Sequence, residues 1–163
     1  MYFSLLDRIT ELDSSHIVAA KQLQPNEAYL KDHFPGFPVM PGVLMIEAAY
    51  QACVWLVLFH DEFKTNIARL HDVRNVKFGT FVQPGNTLIL TAEILQRDGL
   101  RTALQVQGTV EGQTALTGRF FVESDAPSVN SEDKNTQHKQ LEENFYHLYD
   151  GAQITDPVAS GCG

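Results

Sequence analysis

The chain is short of cysteine and of basic residues, and each shortage removes a class of function. Two cysteines in 163 residues cannot build a disulfide framework. Cys53 sits in an apolar run and Cys162 beside the C-terminus, so both are expected as free thiols in a reducing compartment. No C-x-x-C or H-E-x-x-H spacing points to zinc, and no glycine-rich phosphate loop follows a strand. Twelve Lys and Arg stand against 20 Asp and Glu, a formal net charge of -8. No basic stripe is left to neutralise phosphates, which excludes nucleic acid as a partner. The N-terminus has neither a basic region nor a sustained apolar core, so no secretory signal is read and the cytoplasm is the expected compartment. A continuous apolar run long enough for a membrane span is also missing, because Glu47 and Gln51 interrupt the best candidate.

What is present suffices for one domain with a real core: 44% of residues are hydrophobic. The rest of the chain is organised around the stretch from His33 to Gln51, H-F-P-G-F-P-V-M-P-G-V-L-M-I-E-A-A-Y-Q. Pro35 and Pro38 fix φ and Gly36 admits angles closed to other residues, so the first half is a stiffened loop that could hold a side chain still. From Pro41 the pattern turns helical, since Pro suits a helix start and the run to Phe59 contains no breaker after Gly42. This predicts a helix over about 41–59, apolar on nearly every face and therefore buried.

Glu47 and Gln51 stand four apart on one face of that helix. A carboxylate there is costly unless compensated, because burial disfavours its charged form. Its bland role is structural, tied to Gln51 or a neighbouring strand. His33 by itself is a polar loop residue. Together, His33, the Gly42 N–H at the helix start and Glu47 on its second turn supply a base, an oxyanion donor and an acid. The first N–H groups of a helix lack internal partners and sit at the positive end of its dipole, where a carbonyl oxygen gaining charge could be received.

Along the chain, residues 3–12 read as an entry segment forming a helical turn, with Leu5, Leu6 and Ile9 packing on the core. H-I-V-A-A-K-Q-L at 16–23 reads as a strand. Pro25 to Asp32 form a loop or single turn, and 60–66 an exit loop. A strand is expected over 67–77, irregular around H-D-V-R-N. Gln83-Pro84-Gly85-Asn86 is a type II turn by its Pro and Gly. Period-two alternation then predicts three long antiparallel strands from Thr87, with turns at Asp98-Gly99 and Glu111-Gly112. Beyond Val122 the composition becomes polar, and seven of the acids lie in 124–163 against Lys134 and Lys139. That segment reads as a linker and tail, in which Leu141, Phe145 and Leu148 predict a short amphipathic helix near 138–150. His16, His60 and His71 are assigned no chemistry.

The motif H-F-P-G-F-P-V-M-P-G-V-L-M-I-E-A closely resembles the signature of the FabZ-like (3R)-3-hydroxyacyl-[acyl-carrier-protein] dehydratases of bacterial fatty acid synthesis. F-S-L-L-D-R-I at 3–9, N-E-A-Y at 26–29 and V-K-F-G-T-F-V-Q-P-G-N at 76–86 are similar to that family's flanking segments. The sister dehydratase/isomerases carry Asp where this chain has Glu47, which favours the simple dehydratase. The resemblance implies an α+β hot-dog fold, a curved antiparallel β-sheet wrapped around a central buried α-helix. It divides the chain into a hot-dog domain over 1–123 and an acidic polar tail over 124–163. Periodicity alone would support only α+β.

The resemblance further implies dehydration of (3R)-3-hydroxyacyl thioesters to trans-2-enoyl thioesters, with His33, Gly42 and Glu47 as the catalytic set and no metal or organic cofactor. Glu47 would act across a dimer interface with His33 of the other subunit. A homodimer is expected, with hexamer formation open, and the partner would be an acyl-carrier protein bearing a phosphopantetheine-linked substrate. Phe34, Phe37, Val39, Met40, Phe78 and Phe81 are candidates for an apolar acyl tunnel, beside Tyr50 and Gln51. The same residues could be core. Gly79, Thr80 and Phe81 stand where the family commonly has a basic pair and Pro, which leaves Arg74, Lys77, Arg97, Arg101 and Arg119 as possible docking cations. Two other functions fit the same residues: a hot-dog acyl thioesterase, and a non-catalytic acyl-binding or assembly subunit.

Overall fold

The computed structural model describes residues 4–31, 36–64 and 69–125, together with Glu143 and Gln153–Ile154. Its elements in chain order are β1 (Arg8–Leu12), β2 (His16–Gln22), a 3-10 turn (Ala28–Lys31), α1 (Gly42–His60), β3 (Arg69–Phe78), β4 (Thr87–Asp98), β5 (Arg101–Val110), β6 (Gln113–Glu123) and β7 (Gln153–Ile154). The helix lies within one residue at each end of the 41–59 expected from its lack of breakers. The three-strand meander is also as read, with Gly99 at φ 59° and the Glu111-Gly112 pair at φ 51° and 78° turning the chain between strands. In the Gln83–Asn86 turn, Gly85 takes φ 92° and Asn86 N donates to Gln83 O at 2.9 Å. The irregularity expected in β3 is two register shifts against β6, one at Leu70/Asp72 and one at Arg74/Lys77, with Asn75 at φ 55°.

Two expectations are overturned. The entry segment is not a helical turn: Arg8–Leu12 pairs with β2 as a strand. Its backbone groups find partners in a hairpin whose turn is held by Asp13 Oδ1, which accepts from Ser15 N at 2.8 Å and His16 N at 2.7 Å. Leu5, Leu6 and Ile9 do pack in the core.

The curved sheet wrapped around the helix is the second. The seven strands run in the order β3-β6-β5-β4-β2-β1-β7, so the two ends do not meet, and the sheet is neither closed nor strongly curled. A single helix needs only one apolar face to cover it. Along β5, Thr102, Leu104, Val106 and Gly108 are buried while Arg101, Gln105 and Gln107 are exposed. On β5 the second face is thus largely polar and offers no second apolar layer to enclose.

α1 lies on the apolar face, touching β2, β3, β4, β5 and β6. It is long and apolar enough to cross a membrane by composition, yet more than half of it is buried within the fold. Trp55, Leu56 and Leu58 meet Ile17, Leu88, Leu90, Leu104 and Phe120 in one core cluster. β7 pairs in parallel with Glu11 and Leu12 of β1 at the far edge. The amphipathic helix expected near 138–150 lies outside the described residues, Glu143 excepted.

Candidate active site

Pro41 caps α1 with φ −58° and ψ 140°, the last extended residue before the helix. Its carbonyl accepts from Leu44 N at 3.0 Å and Met45 N at 3.1 Å. The N–H groups of Gly42 and Val43 precede these first helical donors, so helix geometry gives them no intrahelical acceptor and places them at the positive end of the dipole. Gly42 has no Cβ for a reason visible in the packing: a methyl there would stand 2.8 Å from Phe78 Cζ at the end of β3. Met40 N, just upstream, donates to Val82 O at 2.9 Å and ties the helix entry to the chain leaving β3.

Around this helix start the surface is apolar. Val43 is 74% exposed, Phe81 60%, Phe78 53% and Phe37 46%, and Phe37 meets Phe81 edge to face with ring centroids 5.6 Å apart. Val39 and Met40 are buried instead. His33 and Phe34 lie outside the described residues.

Glu47, on the second turn, is half-buried. Gln51 Nε2 donates to Glu47 Oε1 at 3.3 Å, and Gln51 Oε1 accepts from Leu5 N at 2.8 Å. Tyr50 is half-buried beside them; burial first, and then the charge of Glu47, pushes its phenol above the ordinary value. The helix therefore gathers Gly42, Glu47, Tyr50 and Gln51, with Phe78 on its first turn. The Leu5 amide had no signal in the sequence, because any non-proline residue carries the same donor. An open polar depression lined by Asp7, Arg8, Ala20, Gln22, Gln24 and Thr87 shares no residue with this group. Among the described residues no three His, Cys, Asp or Glu side chains are placed to hold a metal ion.

Of the five candidate docking cations, three have carboxylate partners: Arg97 on Asp61 at 3.0 Å, Arg74 on Asp72 at 2.7 Å and Arg101 on Glu123 at 3.5 Å. Arg97 is the least exposed of them. Lys77 and Arg119 have no ion pair among the described residues. Both are exposed, and Arg119 stands opposite Arg74 across the β3–β6 pairing.

The sequence matches the FabA-like domain family over residues 1–119. It is also 38% identical over 114 residues to a 3-hydroxyacyl-[acyl-carrier-protein] dehydratase FabZ of Streptococcus pyogenes, an alignment covering 70% of this chain and 82% of that protein. The chain belongs to the FabA-like family. Solved structures of similar shape include the dehydratase heterocomplex ApeI:P of Xenorhabdus doucetiae, with a TM-score of 0.61 at 20% identity over 85% of this chain and 88% of that one. Another is a thioesterase of Pseudomonas aeruginosa, with a TM-score of 0.58 at 8% identity over 72% and 80% of the two chains. At such identities the likeness carries the fold alone, and that fold is the hot-dog arrangement of helix on sheet. Membership of the FabA-like family, which includes hydro-lyases, supports enzymatic activity in general terms.

Proposed function

We propose that this FabA-like chain is a cytoplasmic dehydratase that converts (3R)-3-hydroxyacyl thioesters, carried on an acyl-carrier protein, to trans-2-enoyl thioesters in fatty acid biosynthesis. The observation that carries the proposal is Glu47: a half-buried carboxyl on the second turn of α1, hydrogen-bonded by Gln51 and five residues beyond the helix-start N–H of Gly42.

In this reading the thioester carbonyl oxygen is received by Gly42 N–H. His33 takes the proton from the α-carbon, and the electron pair released forms the new double bond. Glu47 gives a proton to the departing 3-hydroxyl, which leaves as water, and a proton returns from the imidazolium to the carboxylate to reset the site. Neutral imidazole is the right base near neutral pH. The exposed ring of Phe78 against Gly42 and the exposed Phe37–Phe81 pair support an acyl-binding role, with Phe34, Val39, Met40 and Tyr50 as the other members of that site and Gln51 behind Glu47. The same apolar patch supports a homodimer in which His33 of one subunit faces Glu47 of the other. Lys77 and Arg119 are the cations best placed to meet an acidic carrier. Residues 1–123 would form the catalytic domain and 124–163 an appended tail.

The test is incubation of the full chain with a crotonyl thioester. Hydration conserves the thioester and is the expected result, whereas release of a thiol would mean a thioesterase. His33→Ala and Glu47→Gln should abolish turnover without lowering the thermal unfolding midpoint appreciably. A folded wild-type protein with neither activity would be a binding or assembly subunit.

A further inference from the structure

Gln51 is only 6% exposed and lies one turn beyond Glu47 on the same face of α1. Its two polar ends have different partners: Oε1 receives the backbone N–H of Leu5 at 2.8 Å, from 46 residues upstream, and Nε2 lies 3.3 Å from Glu47 Oε1. A side-chain amide has nearly the same shape either way round, so packing alone does not choose its orientation. Leu5 does choose. A backbone N–H can only donate, so it must meet the amide oxygen, and the amide nitrogen is then turned toward Glu47. Reversal would set two N–H groups against each other in a buried site and take from Leu5 N–H the oxygen it donates to, a costly arrangement.

We propose that Leu5 N–H and Gln51 form a positioning relay that keeps Glu47 Oε1 as a hydrogen-bond acceptor and leaves Oε2 as the oxygen that delivers the proton. This rests on the dehydratase reading above. As the C–O bond of the substrate breaks, the proton passes from Oε2 to the leaving hydroxyl, water departs, and Glu47 is left as a carboxylate whose charge is shared by both oxygens. The Gln51 N–H already points at one of them. A hydrogen bond to a neutral carboxylic acid thus becomes a charge-assisted one during the step, without any group having to reorient. An amide turned the other way would present a carbonyl oxygen, which competes for the proton beforehand and repels the anion afterwards. The relay therefore strengthens as charge develops on Glu47 and acts on turnover rather than on substrate binding. It also gives the N-terminal segment before β1 a role in the chemistry beyond packing.

Two substitutions separate this role from a merely structural one. Gln51→Glu keeps an oxygen for Leu5 and removes the N–H directed at Glu47. Leu5→Pro removes the backbone donor and lets the amide turn. With a (3R)-3-hydroxyacyl thioester and the full chain, each is expected to lower kcat by about tenfold or more while KM stays within about twofold. For a variant that does not fold, Glu47→Ala compared with wild type supplies the decision by NMR: the side-chain amide signals of Gln51 should shift on loss of the carboxylate acceptor, and unmoved signals overturn the relay. Unchanged kcat in folded variants, against an active wild type, overturns the relay and leaves the dehydratase reading standing. A wild type without dehydratase activity overturns both.

Discussion

The ring of Phe78 lies over Gly42, so close that a Cβ on the glycine would come within 2.8 Å of Cζ and 2.9 Å of Cε1. The last residue of β3 and the first of α1 are thus fitted to each other, at the place where an oxyanion donor is proposed. Gly42→Ala should force the exposed ring outward and cost about 1 kcal/mol of stability. In a Phe78→Ala background the overlap is gone, and the same substitution should become neutral or favourable by about 0.5 kcal/mol, since alanine suits a helix better than glycine. Denaturant unfolding of the four proteins of this cycle checks the sign change.

Gly79 is a stricter case. A Cβ there would overlap the Thr114 carbonyl oxygen, which is backbone and cannot swing away. On either side, Gly79 N donates to Ala115 O and Thr80 N to Thr114 O, both at 2.9 Å, so the strand exit is pinned against β6. Gly79→Ala is expected to destabilise the protein by about 2 kcal/mol or more, read as a lower urea midpoint. Retention of the wild-type midpoint would mean that the β3–β6 edge yields more easily than its hydrogen bonds imply.

The β1–β2 turn carries a pH dependence. His16 Nδ1 lies 2.9 Å from Asp13 Oδ2 and its Nε2 lies 3.4 Å from Glu11 Oε2. Burial by itself lowers the pKa of His16, but the hydrogen bond and charge of Asp13, with those of Glu11, outweigh it and raise the value above 6.5. For Asp13, burial works upward and is outweighed by hydrogen bonds from His16 and from the Ser15 and His16 backbone, which bring its carboxyl to about 2. A raised histidine stabilises the fold in full below its unfolded pKa, and that contribution disappears as pH rises through the folded value. A depressed carboxylate does so above 3.8, and its contribution disappears as pH falls toward about 2. His16→Asn should therefore lose stability relative to wild type at pH 6 and less at pH 9. Asp13→Asn should lose it at neutral pH but not near pH 2. Urea midpoints across that range are the measurement.

Cys53 is completely buried in α1, and burial pushes its thiol far above the ordinary value. The thiolate is the reactive form, so this sulfur should be inert in the folded protein. In a Cys162→Ser variant, a thiol-specific reagent should leave native protein unlabelled over hours and modify one thiol at once in denaturant. Rapid labelling under native conditions would show that the helix core opens readily.

Features set within a few residues are legible in the sequence. The span of α1 followed from an apolar run with no breaker, the turn at Gln83–Asn86 from its Pro and Gly, and β4 to β6 from strict alternation, because each depends on local steric limits or a short period. Even the bulged course of β3 showed, as a polar interruption at H-D-V-R-N. The family followed from the His33–Gln51 motif for a similar reason: identity at that many positions does not depend on how the strands are arranged.

What the chain alone left undecided were relations between distant backbones. Arg8–Leu12 is a strand because β2 offers it partners, and nothing within five residues says so. The open, weakly curled sheet reflects a single helix covering a single apolar face, a balance struck over the whole domain. Tertiary structure also fixed why position 79 must be glycine, through a carbonyl 35 residues away at Thr114. The amide of Gln51 obtained its sense in the same way, from the N–H of Leu5. Main-chain donors and acceptors are alike at almost every residue, so only the fold can say which of them a given side chain will meet.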